Sequence, residues 1–126
     1  MTIVVDTSVL IDHLRGVEDA RTALRGAVDA GEHLTASVLT KVEILAGMRE
    51  SEQAATGRLL ATLDWIAVDE ELAESAGLFA NQYLRSHPGV DPVDYVIAAT
   101  MTQLAAKLWT RNVKHFPMFP DLRPPY

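Results

Sequence analysis

The chain opens with an unbroken apolar run, Ile3-Val4-Val5, closed at once by the polar residues Asp6, Thr7 and Ser8. A short β-branched run bounded in this way predicts a strand buried on both faces. Apolar residues then recur at helical spacing in Val9, Leu10, Ile11 and Leu14, behind Thr7 or Ser8 as a cap, and this helix ends near Arg15-Gly16. A second amphipathic helix is predicted from Glu18 to Ala30, with Ala20, Leu24, Ala27 and Val28 facing inward and Gly31 stopping it. His33 to Ala36 is a weaker strand candidate bounded by turn signals. Two strands flanking helical segments make the pattern of a parallel sheet with crossover connections.

Beyond it, Ser37 caps a predicted helix from Val38 to Met48, with Val38, Leu39, Val42, Leu45 and Ala46 on its apolar side. Ser51 to Asp64 reads as a fourth helix that buries Leu59, Leu60 and Leu63, and Trp65 to Val68 as a third strand. Asp69 caps a long helix carrying Leu72, Ala76, Phe79, Ala80 and Tyr83 on one side, which stops before His87-Pro88-Gly89. A sixth helix runs from Pro92 to about Leu104 behind Asp91, a good N-cap with proline in the favoured first position. Lys107 to Thr110 is the last strand, and the proline-rich tail, Pro117 to Tyr126, is expected to be packed coil. Neither a repeat nor a linker interrupts the 126 residues, which predicts a single domain.

Three acids stand out from this pattern. Asp6 follows a buried strand, and in open parallel sheets ligands gather outside the carboxyl ends of the strands. Its structural alternative is a helix-capping or loop acid. Glu43 lies four residues after Leu39 and three before Ala46, along the apolar stripe of its helix. A carboxylate there needs a cation, a metal or hydrogen bonds, because unpaired burial costs several kcal/mol. The alternative for Glu43 is a surface residue at the stripe's edge, paired with Arg49 or Lys41. Asp94 precedes Ile97 and Ala98 at helical spacing and so also points inward, whereas Asp91 is read as a cap. The run Asp69-Glu70-Glu71 suits the positive end of a helix dipole and is given no chemistry.

Composition narrows the class. A net charge of −6 argues against a protein that binds nucleic acid mainly through a broad basic surface, but not against acids clustered around metal ions. The chain has no cysteine, which excludes disulfides and thiolate metal sites. No apolar run has the length of a membrane span, and no secretory signal precedes the first strand, so cytoplasmic residence is expected.

Together these residues carry a resemblance. Asp6-Thr7-Ser8 after a terminal strand, Glu43 in Val42-Glu43-Ile44-Leu45-Ala46-Gly47, Asp94 in Asp94-Tyr95-Val96-Ile97-Ala98-Ala99-Thr100, and Thr110-Arg111-Asn112-Val113-Lys114-His115-Phe116 resemble the PIN-domain family. Their order and spacing are similar to its compact prokaryotic branch, the VapC-like toxins of toxin–antitoxin pairs, from Ile3 to about Phe119. The resemblance implies an α/β/α sandwich around a parallel sheet of four or five strands. It further implies a pocket of acids that binds Mg²⁺ or Mn²⁺ and cuts RNA, a small antitoxin covering that pocket, and a homodimer. Asp6, Glu43 and Asp94 match the family's acidic trio. The fourth position, often Asp, is Asn112 here, whose amide oxygen can coordinate a hard cation without adding charge. Ser8 and Thr110 match hydroxyl positions that line the pocket.

Phosphodiester hydrolysis independently asks for such a donor set, since carboxylate-held Mg²⁺ lowers the pKa of a water and bridges the phosphate. Asp6, Glu43 and Asp94 are therefore assigned as metal ligands, direct or through water, and Asn112 as an auxiliary ligand or water orienter. Arg111 and Lys114 are assigned to RNA phosphates, and His115, beside Phe116, to a structural role. Other classes fit less well. A haloacid-dehalogenase-type phosphatase carries a second Asp where Ser8 stands, and a receiver domain groups two acids before the first helix. A glycine-rich phosphate loop is absent. An interaction module leaves inward Glu43 and Asp94 without a reason, and a nuclease that acts on DNA, or in RNA processing rather than as a toxin, remains open as an alternative.

Overall fold

A computed structural model describes all 126 residues of the chain. Four strands, β1 (Thr2–Val5), β2 (His33–Ser37), β3 (Asp64–Ile66) and β4 (Lys107–Trp109), form one sheet in the order β3-β2-β1-β4. Every pairing is parallel, with Ile3 opposite Leu34 and Lys107, and Thr35 opposite Asp64. Six helices surround it: α1 (Thr7–Leu14), α2 (Glu18–Asp29), α3 (Val38–Ala46), α4 (Gln53–Ala61), α5 (Glu70–Tyr83) and α6 (Pro92–Leu104). The fold is the expected α/β/α sandwich, with four strands.

The alternation of β1 assigns the layers. Ile3 and Val5 join Val9, Leu10, Leu24, Ile44, Leu59 and Leu63 in one core, which packs α1 to α4 on one face. Val4 points the other way, into a core with Ile97, Ala98, Leu108 and Phe116. Leu72, Ala76, Tyr95 and Ala99 extend that second face between α5 and α6. Burial on both faces explains why β1 is continuously apolar rather than alternating.

Several sequence expectations are corrected. The cap of α1 is Asp6 itself, whose side chain accepts from the Thr7 N–H, and neither Thr7 nor Ser8 takes that place. Val28 is 55% exposed, beyond the edge of the buried side of α2. The strand β3 begins at Asp64 and ends at Ile66, two residues short of Val68. A 3₁₀ turn, Glu50–Glu52, precedes α4, and the helix stops at Ala61. The largest correction concerns α3, which buries Thr40 and Ile44 and leaves Val42 and Leu45 in solvent at 62% and 44% exposure. A nearly uniformly apolar helix has no decisive stripe, so the packing of Ile44 under α1 chose the face. Glu43 consequently lies on the exposed side of α3 rather than along a buried stripe.

The strand order places the site. Successive strands β1, β2 and β3 run one way across the sheet, and β4 returns to the opposite side of β1. The topological switch point therefore lies between the carboxyl ends of β1 and β4, where loops diverge and leave a crevice. Asp6 follows β1 and Thr110 follows β4.

Candidate active site at the switch point

Asp6 is the floor of this crevice and is 4% exposed. Its backbone N–H donates to the Trp109 carbonyl at 2.9 Å, which extends the β1–β4 ladder by one rung. Its Oδ1 accepts from the Thr7 N–H at 2.8 Å. Its Oδ2 accepts from Thr110 Oγ1 at 2.6 Å and from Ser8 Oγ at 3.2 Å. Those hydroxyls are held in turn: the Arg111 N–H donates to Ser8 Oγ and the Asn112 N–H to Thr110 Oγ1, each at 3.0 Å. A buried carboxylate receiving several hydrogen bonds is stabilised without a cationic side chain and is fixed in orientation. The capping and the chemical readings of Asp6 are therefore not exclusive, since one oxygen caps α1 while the other faces Thr110.

Asp94 approaches from α6. It is the third residue of the helix, and its Oδ2 accepts from the Asp91 N–H at 3.2 Å while Asp91 caps the helix through the Val93 N–H at 2.8 Å. Its side chain is only 13% exposed. Burial raises the carboxyl from its ordinary value to about 6, and the like charge of Asp6 adds to the rise, while the bond from Asp91 and the nearby His115 oppose it. His115 Nδ1 stands 3.2 Å from Asp94 Oδ2. The sequence reading gave His115 a structural place beside Phe116; the structure buries Phe116 and turns His115 onto the acid.

The remaining candidates form a looser rim. Glu43 Oε1 accepts from Thr7 Oγ1 at 2.6 Å, so α3 reaches the site through the residue that follows Asp6. Asn112 opens a short 3₁₀ turn, Val113–His115, and engages the site through its backbone N–H, while its side-chain amide makes no hydrogen bond. Arg111 and Lys114 are exposed and make no ion pair. The site thus brings Asp6, Asp94, Ser8, Thr110 and His115 together, with Glu43 beside them. Sequence reasoning missed Tyr126, whose hydroxyl donates to Asp12 Oδ2 at 2.6 Å and whose ring lies under Arg111. An aromatic behind Pro124-Pro125 was its one visible signal.

No three of the acids and histidines converge closely enough to hold a metal ion by themselves. The donor set nevertheless suits a hard cation. Its acids and hydroxyls, Asp6, Asp94, Ser8 and Thr110, supply oxygen donors, with His115 beside Asp94. Mg²⁺ is commonly held by one or two carboxylates, with water and substrate phosphate completing its octahedron. Asp6 and Asp94 fit that requirement, and the charged form of Asp94 is disfavoured by burial and by the like charge of Asp6.

An α/β/α sandwich with paired acids at the switch point of its parallel sheet defines a class: carboxylate-site proteins built on the crevice of an open sheet. The chain belongs to the PIN-domain family, whose model matches residues 3–117. It is 48% identical over 122 residues to Ribonuclease VapC19 of Mycobacterium tuberculosis, covering 97% of this chain and 98% of that one. To Ribonuclease VapC10 of the same organism it is 44% identical over 124 residues, 98% of this chain and 92% of that one. Among solved structures, a toxin–antitoxin complex from Klebsiella pneumoniae contains a chain 26% identical that superposes with a TM-score of 0.82 over 98% of both chains. The Rickettsia felis VapBC2 complex, bound to a DNA fragment from its promoter, shares the fold at 18% identity, with a TM-score of 0.82 over 97% of this chain and 96% of that one.

Proposed function

We propose that the chain is a Mg²⁺- or Mn²⁺-dependent endoribonuclease and the toxin of a toxin–antitoxin pair. The observation that carries this reading is the buried, multiply hydrogen-bonded Asp6 at the switch point, with Asp94 near enough for its carboxyl to feel the Asp6 charge. The names of the relatives, ribonucleases at 44% and 48% identity, support the substrate class.

In this reading Asp6 and Asp94 hold the cation, with Glu43 acting through an intervening water from the rim. When bound, the ion lowers the pKa of a water and offsets charge on the scissile phosphate. The protein's own contribution is preorganisation. Thr110 and Ser8 keep Asp6 Oδ2 oriented, so no reorganisation is needed when substrate arrives. His115 faces Asp94 and, when protonated, offsets its charge. Asn112 orients water at the mouth, and Lys114 contributes a point charge to the RNA backbone.

The same acids give an antitoxin a target. An arginine laid between Asp6 and Asp94 would satisfy both carboxylates and displace the cation, and the likeness to chains from toxin–antitoxin complexes supports a partner of this kind. Homodimerisation belongs to the same proposal and is checked by the mass of the purified protein in solution. No helix is long and apolar enough to cross a membrane, and we place the protein in the cytoplasm.

The test is incubation of purified, antitoxin-free protein with total cellular RNA, with and without Mg²⁺ or Mn²⁺, beside Asp94→Asn. Metal-dependent fragments that vanish in the variant are expected, and their ends identify the target. A folded protein that cuts no RNA with either ion overturns the reading, and cutting confined to DNA moves it to a deoxyribonuclease.

A further inference from the structure

Arg111 leaves the carboxyl end of β4 in the turn that builds the site, and its backbone is fastened to Ser8. Its side chain is fastened elsewhere. The guanidinium lies over the Tyr126 ring, 4.7 Å from the ring centroid. That ring is anchored by the 2.6 Å bond from its hydroxyl to Asp12 and packs against the core beneath α1. Burial and the bond to Asp12 push the phenol well above its ordinary range, so it stays a donor. Ser8 and Asp12 sit four residues apart on α1 and share one face. One helix face therefore holds the Arg111 backbone through Ser8 and its side chain through Asp12 and Tyr126.

This arrangement keeps a cation out of the acid pair beside it. Arg111 makes no ion pair in a chain of net charge −6. An untethered guanidinium on this turn, whose backbone is joined to Asp6 through Ser8, would be drawn towards the acids. Its place over Tyr126 opposes that collapse and leaves the exposed guanidinium with N–H donors for a planar, bidentate acceptor. A phosphodiester is such an acceptor.

We propose that Arg111, stacked on Tyr126 and anchored through Asp12, forms a phosphate subsite for the RNA strand beside the scissile bond, with Tyr126 as its positioning residue. The identity of the ligand rests on the ribonuclease reading above. The tail runs past the second core, where Phe119 and Leu122 pack, and returns to α1, where Tyr126 supplies the platform for Arg111.

The experiment measures binding of a short fluorescein-labelled single-stranded RNA by anisotropy across a salt series, in EDTA, where the proposed cleavage is silent. Arg111→Ala and Tyr126→Ala are each expected to weaken binding about tenfold and to reduce the salt slope by about one, as for one lost phosphate contact. The double variant should bind no more weakly than Arg111→Ala, since both changes remove the same contact. A purely structural Tyr126 would lower Tm and leave the salt slope of the folded fraction unchanged, and that result overturns the proposal. Losses that multiply in the double variant overturn it as well. If Tyr126→Ala does not fold, Tyr126→Phe, which frees the ring from Asp12, must still reduce the slope; an unchanged slope there is equally fatal. A parent protein that cuts RNA while its binding ignores Tyr126 removes the subsite alone. A parent that neither binds nor cuts RNA removes both readings.

Discussion

The floor of the site and its rim are built on different principles. Asp6 on the floor is buried and held by a strand ladder, a helix cap and two hydroxyls, each of which is itself hydrogen-bonded. On the rim, Glu43 is exposed and held by one hydroxyl, and the Asn112 amide is held by none. Asp94 stands between these cases, seated in a helix cap yet raised in pKa by burial and by its neighbour. In the proposed metal-dependent reading, the difference separates what the fold preorganises from what cation and substrate would still organise. A rigid floor fixes where charge is needed, while a loose rim adapts to what arrives.

The sharpest break of this comparison is at the acids. Asp6→Asn and Asp94→Asn are each expected to lower the rate of RNA cleavage by about a thousandfold at saturating Mg²⁺, a loss typical of removing a preorganised electrostatic group. Initial rates on a defined RNA measure it, and a variant that retained a tenth of the parent rate would remove that acid from the site.

Thr110→Val tests whether the floor must be rigid. It deletes the hydroxyl that donates to Asp6 and accepts from Asn112, leaving the buried Asp6 Oδ2 with the longer Ser8 bond alone, and should cost about 1–3 kcal/mol in chemical denaturation. Cleavage should fall about tenfold in the folded protein. Unchanged stability would mean that the hydroxyl network is not what holds Asp6.

Asp94 should make the metal-free protein sensitive to pH. Its folded pKa of about 6 lies above the ordinary 3.8, so its contribution to stability is present below about 3.8 and is lost as pH rises towards and through 6. Asp94→Asn should remove that fall and leave the metal-free protein more stable at neutral pH, by on the order of 1 kcal/mol after solvent screening. Melting curves at pH 4, 5, 6 and 7 in EDTA supply the comparison, and parallel pH profiles for parent and variant would contradict it.

The smallest effect belongs to the rim. Glu43→Gln keeps an oxygen for Thr7 and leaves an exposed helix face, so stability should move by less than about 0.5 kcal/mol. Cleavage should drop less than for either aspartate and recover in part at high Mg²⁺. A loss as deep as that of Asp6→Asn would place Glu43 on the floor after all.

Much of the fold was legible in local pattern. The apolar run of β1, the Asp69 and Asp91 caps, and the Pro92 start of α6 are short-range signals whose physics is complete within a few residues. Asp6 and Asp94 were singled out on the same kind of signal, since each sits at a strand or helix end. The face of α3 was not legible: Val42 and Leu45 are as apolar as Ile44, and only the neighbouring helix decides which is covered. Glu43 was misplaced with them.

By itself, the sequence determined the element types, their order and the family resemblance, and it nominated the acids now proposed for chemistry, because periodicity and capping are local. Tertiary structure alone decided which residues meet. Strand order brought Thr110 to Asp6 across 104 positions, and α6 brought Asp94 towards that pair. His115 was turned onto Asp94, and Tyr126 crossed 114 positions to anchor on Asp12. Contacts at such separations depend on sheet topology and the closing of the tail, and no local pattern encodes them.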